Sequence, residues 1–212
     1  MMDEEIRNFD EVAASWDEEP RRVKLAADVA KAVMGEVELT RDMDVLDYGC
    51  GTGLVTLHMQ PHVRGMTGAD TSRGMLEVLK RKVAEHGMTN VRTALIDPVK
   101  DTPIEGKFHL IVSSMTLHHI QDTEALFKDF YRLLLPGGKL CITDLDAEDG
   151  SFHNDTTGVA HFGFDRREVR GMLKNTGFAD TRNVTAAVII KEGPGATRRE
   201  YPVFLMIARK RH

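Results

Sequence analysis

The stretch that most constrains this chain is residues 44–56, D-V-L-D-Y-G-C-G-T-G-L-V-T. Val45 and Leu46 read as the end of a buried strand, and Leu54, Val55 and Leu57 as the start of a helix. Between them glycine takes every second position, at Gly49, Gly51 and Gly53. A strand that turns straight into a helix needs residues without Cβ, both for the tight turn and to let a ligand reach the backbone. The helix start then offers unpaired N–H groups and a partial positive charge. A dinucleotide fingerprint would read G-x-G-x-x-G, its third glycine packing helix on strand; here Leu54 stands in that place. Asp47, just before the turn, would repel a pyrophosphate and suits a ligand with an ammonium group.

Two further strands end in aspartate. Residues 63–69 form a short apolar segment closed by Asp70, 23 residues past Asp47. That is near the ~20-residue separation at which an acidic residue meets ribose hydroxyls in such folds. A carboxylate accepts two hydrogen bonds from a vicinal diol; the simpler role for Asp70 is to help Thr71 and Ser72 cap the next helix, whose apolar face is Met75, Leu76, Leu79 and Val83. Residues 91–96 form a third strand ending in Asp97-Pro98, where proline forces a turn.

Residues 108–114 are a nearly continuous apolar run, as a strand covered on both faces should be. They lead into Met115-Thr116-Leu117-His118-His119. Ligands in open α/β sheets sit outside the carboxyl ends of strands, which favours His118 and His119 over His109 for chemistry. Adjacent histidines do not share a helix face and no third ligand is evident, so no metal site is expected. A helix over 123–134, with Leu126 and Phe130 on its core face, stops at Leu135-Pro136-Gly137-Gly138, and a fifth strand follows over 139–144. Residues 145–164 are then rich in carboxylates, histidines, aromatics and glycine. An EF-hand would need glycine where Asp149 stands. A loop of this length is functional or a solvated acidic connection, and His153 and His161 lie within it. A helix capped by Asp165 and two strands, 184–190 and 202–208, complete the pattern; their adjacency predicts a hairpin whose last strand is antiparallel to the rest.

Ahead of the glycine stretch, residues 1–40 read as two helices, the second opened by Pro20. Trp16, the sole tryptophan, either staples this arm to the domain or lines a ligand pocket, and the two are compatible. The chain of 212 residues is long enough for one full domain. A net charge of −5 gives no global footprint for nucleic acid. Cys50 and Cys141 cannot form a disulfide framework. The acidic N-terminus is no signal peptide, and no run approaches the ~18 apolar residues of a membrane span. These features predict a cytoplasmic protein.

The Asp-x-Gly-x-Gly-x-Gly stretch, the strand-end residues Asp70 and Asp97, and the L-L-L-P-G-G-K-L-C-I-T-D string together resemble the class I S-adenosylmethionine-dependent methyltransferases, in their small-molecule branch. The resemblance covers nearly everything from residue 40 onward. It implies an α/β fold, Rossmann-like, with a seven-stranded mostly parallel sheet, an antiparallel last strand and helices on both faces. One domain would span 1–212, with 1–40 as a helical arm over the cofactor, 41–212 as the core, and 145–164 as a lid or substrate loop. The cofactor implied is S-adenosyl-L-methionine, released as S-adenosyl-L-homocysteine. The resemblance puts Asp47, Gly49, Gly51 and Gly53 around its methionine end and Asp70 on its ribose. Thr71 and Met75 would lie beside the adenosine, Asp97 at the adenine, Ser113 by the sulfonium, and Trp16 near the pocket.

Ser113-Ser114-Met115-Thr116 replaces the Asn/Asp-Pro-Pro-aromatic sequence common in enzymes that methylate amide or exocyclic nitrogens, which argues against adenine or glutamine acceptors. Where the acceptor must lose a proton, His119 is the first candidate base, followed by His118, His153 and His161. The expected partner is a small-molecule acceptor, with neither nucleic acid nor membrane, in a monomer or homodimer. The rivals are a methyltransferase acting on protein or RNA, a non-catalytic cofactor binder, and a nicotinamide dehydrogenase, the last disfavoured by the glycine spacing.

Overall fold

The computed structural model describes residues 8–96, 104–192 and 198–212. Seven strands form one sheet in the order β3-β2-β1-β4-β5-β7-β6. They are β1 (Asp44–Tyr48), β2 (Gly65–Asp70), β3 (Val91–Leu95), β4 (Phe108–Ser114), β5 (Leu134–Leu145), β6 (Ala179–Glu192) and β7 (Arg198–Arg209). The pairs from β3 through β5 are parallel, and β7 runs antiparallel to both β5 and β6. The order reverses at β1, from which β2 and β4 lead off on opposite sides. This opens a crevice at the carboxyl ends of the strands, where α/β sheets take ligands.

Alternation along each central strand sends side chains to two cores. Leu46, Phe108, Ile111, Leu140, Ile142, Phe204 and Met206 face one layer, made of α5 (Thr123–Leu133) and α6 (Arg166–Thr176). Val45, Leu110, Val112, Cys141, Leu205 and Ile207 face the other, made of α2 (Pro20–Glu36) and α3 (Leu54–Met59). Both faces are apolar because both are covered.

The arm begins with α1 (Phe9–Val12), continues as a 3-10 turn over Ala13–Glu18, and enters α2 at Pro20. It packs on α4 (Arg73–Glu85), burying Ala13 with Met75 and Val78. Two aspartates fasten it. Asp10 accepts from Ser72 Oγ at 2.5 Å and from the Gly74 N–H at 2.8 Å. Asp17 accepts from Thr52 Oγ1 at 2.5 Å and pairs with Lys82.

Three boundaries differ from the sequence expectation. Strand β2 starts at Gly65, since Gln60–His62 form a 3-10 turn after α3. Helix α5 ends at Leu133, and the Leu-Pro-Gly-Gly sequence lies inside β5 as an irregularity between the pairs Phe108–Leu134 and Leu110–Lys139. Leu135 precedes proline and is pushed to extended backbone. The last two strands are longer than their apolar cores, because hairpin pairing carries polar residues such as Arg198 and Glu192 into the ladder.

Candidate functional site: a glycine turn and a histidine turn at the strand ends

The turn after β1 is held open by glycine. Gly49, Gly51 and Gly53 have φ of +71°, +53° and +83°, a region that strongly favours glycine. The Gly49 and Cys50 N–H groups donate to Ala69 O at 2.8 and 3.1 Å, which ties the turn to β2. A Cβ at Gly49 would overlap the Thr116 side chain and one at Gly53 would overlap Leu79, whereas at Gly51 nothing lies within 4 Å. Gly51 therefore faces open space, the cradle that a ligand approaching backbone needs.

Around that cradle stand the aspartates. Asp47 is 1% exposed and accepts from Thr56 Oγ1 at 2.6 Å. Burial, reinforced by the nearby Asp70 charge, pushes its carboxyl up to about 6 against the Thr56 hydrogen bond. Asp70 accepts from the Gly51 N–H at 2.8 Å and the Ser72 N–H at 2.9 Å. Burial raises its pKa too, with the backbone N–H groups of Ser72, Gly51 and Thr71 opposing. Each Asp70 oxygen keeps a second lone pair for a hydroxyl donor. Ser113, at the end of β4, is buried and its Oγ has no hydrogen-bond partner. An open glycine cradle, a diol-accepting carboxylate and an orphaned buried hydroxyl fit S-adenosylmethionine.

The other expected cofactor contacts are more dispersed. Thr71 is exposed directly after β2. Met75 is buried against the arm residue Ala13. Trp16 is half-buried, with Phe9 edge-on at 5.9 Å and the Arg22 guanidinium 3.8 Å from its ring centroid. It joins the cluster that seats the arm on α4. Asp97 lies outside the described residues.

The histidines form a second centre. Met115 leaves β4 with φ +53°, unusual for a side chain of its size, and a 3-10 turn over Leu117–His119 follows. The His118 ring lies 4.1 Å from that of His119 and 5.0 Å from that of His153. Within the 145–164 segment, Gly158 O accepts from His119 Nδ1 at 2.7 Å, and the Ala160 and His161 N–H groups donate to His118 O. His161, like His119, spends a ring proton on backbone, since its Nε2 donates to Ile120 O at 2.9 Å. From the arm, Phe9 meets the His119 ring edge-on at 5.3 Å. Among the described residues no group of three or more His, Cys, Asp or Glu side chains is arranged to hold a metal. No helix there is long and apolar enough to cross a membrane.

Sequence reasoning passed over Asp144, which grips His118, and over Asp10 and Asp17, which fasten the arm. All three partners are remote in sequence, so no local spacing could signal them.

The strand order, the glycine turn and the carboxylates at the strand ends define a Rossmann-like domain built to hold a nucleoside joined to an amino acid. A family profile described as a methyltransferase domain matches residues 18–183. The chain belongs to that family, which places it among the class I S-adenosylmethionine-dependent methyltransferase domains. An uncharacterised methyltransferase of Schizosaccharomyces pombe is 30% identical over 160 residues, covering 68% of this chain and 56% of that protein. Phosphoethanolamine N-methyltransferase 1 of Zea mays is 31% identical over 159 residues, covering 72% of this chain and 31% of that protein. The chain thus spans about a third to just over half the length of these relatives. Among solved structures, Haemonchus contortus phosphoethanolamine N-methyltransferase 2 with S-adenosyl-L-methionine superposes with a TM-score of 0.72 at 17% identity. The match covers 98% of this chain and 61% of that one, a likeness of fold.

Proposed function

We propose that this chain transfers a methyl group from S-adenosylmethionine to a small-molecule acceptor bound beside the histidine turn. One observation carries the reading: the space over the ends of β4 and β5 is roofed from two sides. Phe9 of the arm leans on His119, and the 158–161 backbone is bonded to both His118 and His119. Such a cover favours a small acceptor, since a macromolecule would have to displace it. The maize relative, named for phosphoethanolamine as its acceptor, supports the same class.

Asp47 and the glycine turn would hold the methionine end, Asp70 the ribose, and Ser113 the region near the sulfur. When bound, the cofactor supplies an electrophilic methyl group on a sulfonium. The protein's share is then to align the acceptor and exclude water. The arm and the 145–164 segment would do the excluding. His119 donates through Nδ1, so its basic lone pair resides on Nε2, where it would take a proton from an acceptor that must lose one.

The test incubates purified protein and radiolabelled S-adenosylmethionine with dialysed cell extract plus its small-molecule fraction, and separates products by size. Label in the small-molecule pool is expected. Label in protein or RNA would overturn the reading, and cofactor binding without any transfer would point to a non-catalytic binder. His119→Ala should lower turnover by about 100-fold or more; unchanged turnover at every pH would remove the base role.

A further inference from the structure

Asp144, near the end of β5, is 0% exposed. A buried carboxylate is costly unless hydrogen bonds surround it. Its Oδ1 accepts from His118 Nδ1 and from the Leu145 N–H, both at 2.8 Å, and its Oδ2 accepts from the His118 backbone N–H at 3.1 Å. One residue is thus gripped by ring and backbone together, and its imidazole must carry a proton on Nδ1. The His118 carbonyl in turn accepts from Ala160 N–H at 2.8 Å and His161 N–H at 3.1 Å. With His119 Nδ1 donating to Gly158 O and His161 Nε2 donating to Ile120 O, four hydrogen bonds stitch the 158–161 segment to the histidine turn. Asp144 pins that turn to the sheet.

We propose that Asp144 is a positioning residue for methyl transfer. By holding His118 it fixes the turn where the 158–161 segment can close on it, and closure sets His119 with its proton on Nδ1 and its basic lone pair on Nε2. The segment's Gly158 carbonyl then orients His119 much as a carboxylate orients a catalytic imidazole, so an open segment leaves that tautomer unselected. The kinetic consequence rests on the methyl-transfer reading; the structural one stands without it.

The experiment uses the full chain, uniformly 15N-labelled. In the wild type, His118 and His119 should both show the Nδ1–H tautomer, with Nδ1 protons protected from exchange. In Asp144→Asn the His119 Nδ1 proton should lose protection. Label transfer into the small-molecule pool should fall about 10-fold or more in kcat, with the KM for S-adenosylmethionine within about twofold. His118→Asn, whose amide N–H can replace the ring donor to Asp144, should keep the His119 Nδ1 proton protected. Asp144→Asn with an unchanged His119 signal and full rate would overturn the proposal. So would equal inactivity of both variants with the His119 signal intact in each. Should Asp144→Asn not fold, Ala160→Pro, at an exposed position, removes one of the two N–H donors to His118 O; an unaltered His119 signal there overturns the proposal. A wild type that transfers no label but shows both tautomers refutes the methyl-transfer reading and leaves the positioning supported.

Discussion

At the scale of single residues, Asp47 sets binding against folding. Its carboxyl is lifted from 3.8 to about 6 by burial, so folding of the apoprotein favours its neutral form more than the unfolded chain does. The sign follows from linkage: stability present below about pH 4 is lost as the pH rises through 6, by roughly 3 kcal/mol. Asp47→Asn should therefore melt higher than the wild type at pH 7 to 8 without cofactor, and lack this slope between pH 4 and 7. It should also bind S-adenosylhomocysteine weakly, since the charge proposed to meet the ammonium group would be gone. Melting curves across pH, with and without S-adenosylhomocysteine, check both; a variant that binds normally would remove Asp47 from the site. The glycines divide by what faces them. Gly49→Ala and Gly53→Ala must push aside Thr116 or Leu79 and should lower the denaturant midpoint. Gly51→Ala meets open space and costs about 1–2 kcal/mol through its left-handed backbone. It should stay folded while calorimetry shows weakened cofactor binding.

At the scale of elements, the arm is held by polar latches over a small apolar cluster. Asp10 caps the start of α4 through Ser72 Oγ and Gly74 N–H, and those two donors hold its pKa below the usual value. Asp17 joins the arm to Thr52 of the glycine turn and to Lys82 of α4. Each latch lies near solvent and is worth about 1 kcal/mol. Asp10→Ala or Asp17→Ala should therefore loosen the arm and spare the sheet. Hydrogen exchange over residues 8–19 should quicken and S-adenosylhomocysteine affinity drop about 5-fold, with the global unfolding midpoint little changed. Exchange rates identical to wild type would show that Phe9, Trp16 and Met75 seat the arm unaided.

At the scale of the whole molecule, stability belongs to the two-sided sheet. Phe204 on β7 and Phe130 on α5 are fully buried in the same layer. Phe204→Ala should cost about 3–5 kcal/mol, read as a lower urea midpoint with an unaltered m-value. A cost below 1 kcal/mol would mean that this layer repacks freely. Because β7 lies between β5 and β6, loss of its packing should unfold the cofactor end along with the hairpin, in one transition.

The strand–turn–helix at residues 44–56, the βα alternation, the aspartate closing β2 and the hairpin with its antiparallel strand were all legible in the sequence. Each depends on short-range chemistry: apolar runs at strand and helix spacing, and glycine where φ must be positive. The bounds of β5 were not legible, since Leu134 becomes strand only by pairing with Phe108. Nor were the separate duties of the histidines, because identical imidazoles at positions 118, 119, 153 and 161 differ only in what faces them. Asp144 faces His118, the Gly158 carbonyl faces His119, and the Ile120 carbonyl faces His161. The sequence by itself determined a methyltransferase sheet with a cofactor turn. Only the tertiary structure decided how the arm and the 145–164 segment meet over the histidine turn, since hydrogen bonds between residues 26 to 62 positions apart leave no local pattern to read.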